Sequence, residues 1–290
     1  MIPMRLAARG WLSAVAVLTL GPTTASHLAP RAAAAPVADS LRVPVLVYHS
    51  VMPHHPGQTA EQRVLDVDDS VFAAQMRYLV NGGYHVVSFA ALVDALEGRD
   101  TLPTRAVVIT FDDGWENQYR HAFPILRRFG LTATFFVFTT PIGKDSKLMN
   151  WQQLRELQAA GMTIGSHTRT HPVLPDYHAA LHNEVAMSRA DIEQHLGRAP
   201  DFFAYPFGAW DAQSAASARS AGYRAARTYR GGPWNARSDL YHLHAVPVTD
   251  DMQAFERAVS GTGPTHAPRQ VRRVTVALDR DPGDSLPDRP

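Results

Sequence analysis

The run AVVITFDDG, Ala106 to Gly114, carries an apolar, β-branched stretch straight into two adjacent acids and a glycine. A short continuous apolar run bounded by turn formers predicts a strand buried on both faces, as in a parallel sheet. The acids at its end pose a problem of charge. Neighbouring carboxylates disfavour each other's ionisation, and burial without a cation makes this worse. Asp before Gly also makes an ordinary turn or helix cap. From these nine residues alone, both readings stand.

The same alternation continues on either side. Val43 to Val51 is apolar and β-branched, and predicts a strand. Met52 to Asp68 predicts a long loop. Asp69 to Asn81 predicts a helix, with Phe72, Met76 and Leu79 on one face and Gly82-Gly83 as its stop. Tyr84–Val87 is expected as a strand, and Ser88 caps a helix ending at Gly98. A helix is expected over Glu116–Phe129, kinked at Pro124. Strands follow at Ala133–Thr139, Met162–Ser166, Phe202–Tyr205, Tyr223–Thr228 and His244–Val248. Helices are expected after Asn150, over His178–Leu196, over Ala212–Ala221 and over Met252–Val259. Regular strand–helix alternation with fully apolar strands predicts an α/β fold around a parallel sheet. An open doubly wound sheet and a closed barrel both fit. The barrel is preferred, because polar residues of unusual type collect at the ends of several different strands.

Bulk properties bound the function. The chain has 290 residues, 45% of them hydrophobic, enough for one large domain. The formal net charge of +1 suggests no nucleic-acid partner. There is no cysteine, so any metal must be held by His, Asp or Glu. Arg5 and Arg9, an apolar run over Trp11–Leu20 and the small residues Thr23–Ser26 have the pattern of a signal peptide. The apolar run is too short for a comfortable bilayer span. Residues 1–25 are read as signal peptide, 26–42 as an Ala- and Pro-rich linker, 43–260 as a single domain and 261–290 as a disordered tail. Cleavage removes two arginines and no acids, so 26 basic against 27 acidic side chains leave −1. The mature chain is then expected outside the cytoplasm, in a periplasm, at the cell surface or secreted, without a stable membrane span.

Four strand ends carry the candidate chemistry: Tyr48-His49, Asp112-Asp113, Ser166-His167-Thr168-Arg169-Thr170-His171 and Tyr205-Pro206-Phe207-Gly208. His167 and His171 are four apart and can reach one ion from a helix or from a loop. With one carboxylate they form a two-His, one-carboxylate set that leaves positions open for water and substrate. Among 14 histidines such a pair also arises by chance. Zinc suits this set best; cobalt, nickel and iron also suit it.

The sequence resembles the polysaccharide deacetylase family, the NodB homology domain of carbohydrate esterase family 4. TFDDG, the SHTxxH run and YPFG occur in the family's order. VPVLVYHSV, Val43 to Val51, looks like the branch that deacetylates biofilm poly-β-1,6-N-acetylglucosamine. The likeness covers about Val43 to Val248. It implies a distorted (β/α) barrel of about seven parallel strands, and a divalent ion on Asp113, His167 and His171. It implies Asp112 as general base, His49 as general acid, and the Phe207 backbone N–H, beside Tyr205, on the substrate oxyanion. The implied substrate is an N-acetylglucosamine polymer; peptidoglycan, chitin and acetylxylan deacetylases are the rival enzymes, and a non-catalytic polysaccharide-binding protein the rival class. In the family an arginine commonly orients the base. No arginine lies close before YPFG, Arg198 being seven residues upstream of Tyr205, so the sequence leaves the support of Asp112 unassigned.

Overall fold

The computed structural model describes residues 40–59 and 65–261. The expected signal peptide, most of the linker and nearly all of the tail lie outside the described residues. Strands are numbered in chain order: β1 (Ser40–Arg42), β2 (Val45–Tyr48), β3 (Ser50–Val51), β4 (Asp66–Val67), β5 (His85–Val86), β6 (Ala106–Phe111), β7 (Thr134–Val137), β8 (Thr163–Ser166), β9 (Phe202–Ala204), β10 (Ala225–Gly231), β11 (Trp234–Ala236) and β12 (Leu243–Pro247). The α-helices are α1 (Asp69–Asn81), α2 (Phe89–Leu96), α3 (Phe123–Phe129), α4 (Trp151–Ala159), α5 (Met187–Leu196), α6 (Ala212–Ser220) and α7 (Met252–Ser260).

The strands run in the order β2-β12-β10-β9-β8-β7-β6, and β6 pairs back onto β2 through Val45↔Val108 to Tyr48↔Phe111. This closes a parallel barrel of seven strands. The short β5 pairs with the first residues of β6. Closure decides between the two architectures that the sequence left open, and it agrees with the barrel.

Period-two alternation sorts the strand residues into two layers. Val45 and Val47 of β2, Val108 of β6, Phe136 of β7 and Ala225 of β10 share one apolar cluster, which Phe89, Leu92, Val93 and Leu96 of α2 complete. Leu46 and Tyr48, Val107, Ile109 and Phe111, and Phe135 and Val137 belong to the other layer, packed under α1, α3, α4 and α7. Phe203, Tyr205 and Ala226 meet Val185 and Ala218 of the flanking helices in a third cluster. The first layer is the barrel interior. It is tight: a Cβ on Gly165 would lie 2.5 Å from Phe136.

Boundaries moved where local chemistry intervened. The expected first strand breaks at His49, and its remainder, β3, pairs with β4 inside the segment expected as a loop. The end of the expected linker is β1, which forms an antiparallel ribbon with β11. Arg42 donates from β1 to the Ala258 and Val259 carbonyls at the end of α7 (3.0 and 3.1 Å). The two long expected helices each contain a π-turn in their first half, Gln118–Ala122 before α3 and His182–Ala186 before α5. Pro124 lies just after the first of these π-turns, within an unbroken helical run over residues 116–129, so the α-helical pattern is interrupted where the proline lacks its N–H, as expected.

Candidate active site

Continuing the inward register past the strand ends names the site. On β2 it runs Val45, Val47, His49; on β6, Val108, Thr110, Asp112; on β8, Gly165, His167; on β10, Ala225, Arg227, Tyr229. All four strands are parallel, so these side chains collect at the carboxyl-terminal mouth, where loops from separate strands can share a ligand.

Backbone strain marks the same place. Among the described residues, five other than glycine have positive φ: Arg105, Asp113, Thr168, His171 and Phe207. Four of them are expected site residues or lie in the loops that carry them. Left-handed backbone costs non-glycine residues about 1–3 kcal/mol each and persists only where the surroundings over-determine it. Asp113 (φ 72°) and Gly114 (φ 79°) form two successive left-handed residues. That turn swings the Asp113 carboxylate out of the strand's alternation and toward the histidines.

His167 and His171 converge on Asp113. The Asp113 Oδ1 lies 3.2 Å from His171 Nε2 and 3.6 Å from His167 Nε2, and the two ring nitrogens are 3.2 Å apart. His167 Nδ1 donates to the Ala204 carbonyl (2.7 Å), so its Nε2 carries the lone pair. Asp113 Oδ2 accepts from Trp115 Nε1 (3.0 Å), while the buried Oδ1 makes no directed hydrogen bond. An orphaned anionic oxygen beside a fixed imidazole lone pair is a donor set that fits a divalent cation. Electrostatics agree. Burial opposes ionisation of Asp113, but the imidazoles around it, His171 first and then His49 and His167, outweigh it and hold the carboxyl well below the usual range. Burial above all pushes His167 down to about 4, keeping the ring neutral and ligand-competent.

Asp112 has a different surrounding. It is buried (2% exposed) and one oxygen pairs with Arg227, a guanidinium that is itself fully buried. Arg227 also donates to the Thr228 carbonyl (3.1 Å) and lies 4.8 Å from the centre of the Phe136 ring. This supplies the orienting arginine that the sequence left unassigned. It comes from β10 rather than from the segment before YPFG. Arg198 is exposed and pairs with Asp201.

A family model described as polysaccharide deacetylase matches residues 99–226. The YxkH protein of Bacillus subtilis strain 168, whose name assigns it to the polysaccharide deacetylases, is 28% identical over 213 residues, 73% of each chain. A poly-beta-1,6-N-acetyl-D-glucosamine N-deacetylase of Escherichia coli strain K12 is 34% identical over 126 residues, 38% of this chain but 19% of that protein. The deacetylase PplD of Streptococcus pyogenes, solved in complex with acetate, superposes with a TM-score of 0.70 at 22% identity, covering 76% of this chain and 98% of that one.

The chain carries a polysaccharide deacetylase domain. It is a deacetylase, a hydrolase that removes acetyl groups.

The remaining expected residues of the deacetylase site divide. The His49 ring stands at the mouth against Tyr229, edge to face, 5.3 Å between centroids. The half-exposed Phe207 packs its ring on His171 (4.7 Å), with φ 60° turning its backbone. Gly208 is required beside it, since a Cβ there would lie 2.5 Å from the Tyr229 nitrogen. Tyr205 departs from its expected substrate-facing role: it is buried, and its hydroxyl donates to the Tyr241 carbonyl (2.9 Å). Its side chain belongs to the outward register of β9 and is spent on the barrel wall. His54, half-buried in the loop after β3, pairs with Asp250 at 3.3 Å.

Sequence reasoning missed Arg227 and Gln118. Gln118 is fully buried, and its Nε2 donates to the carbonyls of both His49 (2.6 Å) and Asp112 (2.5 Å). One amide thus ties together the backbones of the expected acid and base. For Arg227 a signal existed. A charge between Ala225-Ala226 and Tyr229 in an apolar strand must meet a counter-charge if the strand is buried. For Gln118 there was none, because a helix-initial glutamine reads as surface.

Proposed function

We propose that the protein is a metal-dependent N-deacetylase of N-acetylglucosamine polymers, with poly-β-1,6-N-acetylglucosamine as its substrate. The observation that carries this reading is the separation of the two acids. Asp113 faces two imidazoles, while Asp112, one residue earlier, is held by Arg227 on the barrel's inward register.

Asp113, His167 and His171 would hold the cation. Bound there, it would act as a Lewis acid on water and on the amide carbonyl. Asp112 takes the proton from the attacking water. Its pairing with Arg227 fixes its direction, as a general base requires. His49, on the strand beside that of Asp112, gives a proton to the departing amine nitrogen. The Phe207 backbone N–H shares the charge that develops on the carbonyl oxygen. His49, Asp112, His167 and Phe207 come from four different strand ends, so a single closed barrel sets their spacing.

The preference for a β-1,6-linked polymer rests on the Val43–Val51 stretch and on the Escherichia coli relative, which bears that substrate in its name. We also infer that the protein works outside the cytoplasm, from Arg5, Arg9 and the apolar run behind them. No helix among the described residues is long and apolar enough to cross a membrane.

Acetate release from β-1,6- and β-1,4-linked N-acetylglucosamine oligomers, peptidoglycan fragments and acetylated xylan, with Zn²⁺ or Co²⁺ supplied, tests the reading. Fastest release from the β-1,6 oligomer is expected. Faster release from another polymer overturns the substrate, and no release from any of them overturns the hydrolase. N-terminal sequencing of the exported protein tests the signal reading and should begin near residue 26.

A further inference from the structure

The loop that carries both histidines holds a carboxylate without a catalytic task. Glu184 is buried (4% exposed) and lies in the π-turn His182–Ala186. Its Oε2 accepts from the backbone N–H groups of Arg169 (3.0 Å) and Thr170 (2.9 Å), and its Oε1 accepts from the Thr170 hydroxyl (2.8 Å). All three donors lie between His167 and His171. No arginine or lysine pairs with Glu184 in the described residues; the Arg169 guanidinium goes instead to Asp191 (2.9 Å) and Asn183 (2.9 Å).

The loop needs an external hold. Thr168 (φ 75°) and His171 (φ 63°) are both left-handed, and for a β-branched residue such as Thr168 this is a true outlier. Other bonds fix the loop's first half: Thr139 N–H donates to the Thr168 carbonyl (3.1 Å) and Thr140 N–H to the Arg169 carbonyl (2.9 Å). His171 N–H donates to Thr168 Oγ1 (2.9 Å). The N–H groups of Arg169 and Thr170, at the crest, both go to Glu184. Charge-assisted bonds to a buried carboxylate are about twice as strong as neutral ones, so Glu184 is a strong tether on the backbone of the crest.

We propose that Glu184 is the positioning residue of the metal-ligand loop: it holds the crest so that His171 meets His167 and Asp113 at coordination distance. The inference rests on reading those three residues as a metal site. It assigns Glu184 no contact with metal or substrate. Partners that orient metal ligands typically change affinity about 10- to 100-fold when removed.

The test is Co²⁺ affinity, measured by competition with a chelator and by the visible absorption of the bound ion, on the full domain. Glu184→Ala is expected to bind Co²⁺ about 10- to 100-fold more weakly, with a shifted absorption spectrum. Glu184→Gln keeps an oxygen for the two backbone N–H groups and should recover part of the loss, remaining about threefold or more below the parent. A folded Glu184→Ala with parental affinity and spectrum overturns the proposal. If that variant does not fold, Glu184→Gln decides: a loss of about threefold or more supports the role, and a smaller one overturns it. A merely structural glutamate would lower metal-free stability and leave both affinity and spectrum unmoved. A parent that binds no Co²⁺ sinks the metal reading and this inference with it, whereas unchanged variants of a binding parent sink the inference alone.

Discussion

Asp112 and Asp113 share a peptide bond but sit in two different kinds of environment. Asp112 continues the regular strand, with its N–H on the Tyr48 carbonyl (2.9 Å) and its carboxylate on a buried arginine. Asp113 leaves the strand through a left-handed backbone and meets imidazoles instead of a guanidinium. On the proposed reading, the proton-handling side is thus built on strand register, and the metal-binding side on strained loops held from outside. Register is rigid and fixes direction; strained loops bring ligands from separate strands to one point, at a cost of about 1–3 kcal/mol per left-handed residue.

Breaking the register side should have the largest effect. His49→Ala removes the proton donor and should lower turnover about 10²- to 10⁴-fold without releasing metal. An amine leaving group that is more acidic should suffer less, and equal loss across leaving groups would count against His49 as the acid. Arg227→Met comes next. It strands Asp112 as an unpaired buried charge, so chemical denaturation should show stability reduced by about 3–5 kcal/mol. A variant as stable as the parent would mean that Asp112 is not buried against Arg227. Gln118→Met frees two buried carbonyls and should cost about 1–3 kcal/mol, with KM little changed and kcat lower, because it loosens both the acid and the base. The smallest effect is expected on the loop side at Trp115. Trp115→Phe deletes one hydrogen bond to Asp113 Oδ2, worth about 1 kcal/mol, and should weaken metal binding by several-fold at most. A larger loss there than at Gln118 would reverse the comparison.

The difference between the two sides also explains what could be read from sequence. The strands were legible because the barrel's two layers leave runs such as Val107–Ile109 and Thr134–Val137 apolar throughout. The loop ligands were legible because their types are rare together: two histidines four apart, and paired acids before glycine. What escaped was contact across the barrel. Arg227 lies 115 positions from Asp112, and nothing local to either residue names the other. Gln118 and Glu184 escaped for a related reason. Each sits in a π-turn within a segment expected as plain helix, and the wider turn lets a polar side chain point into the protein where helical periodicity puts it at the surface. The break at His49 was hidden by the apolar residues around it, Val47 and Val51, which made one strand of two. Tyr205 was misplaced because its neighbours in YPFG carry the backbone turn, while its own side chain follows the outward register of β9.

The division of labour between the acids is tested most directly by substituting each in turn. Asp112→Asn and Asp113→Asn are near-isosteric, and metal content and acetate release can be measured on the same preparations. Asp112→Asn is expected to retain the parent's metal while acetate release falls about 10²- to 10⁴-fold. Asp113→Asn is expected to lose the metal and, with it, the activity. Two variants that keep or lose metal alike would contradict the assignment of one acid to the ion and the other to the water.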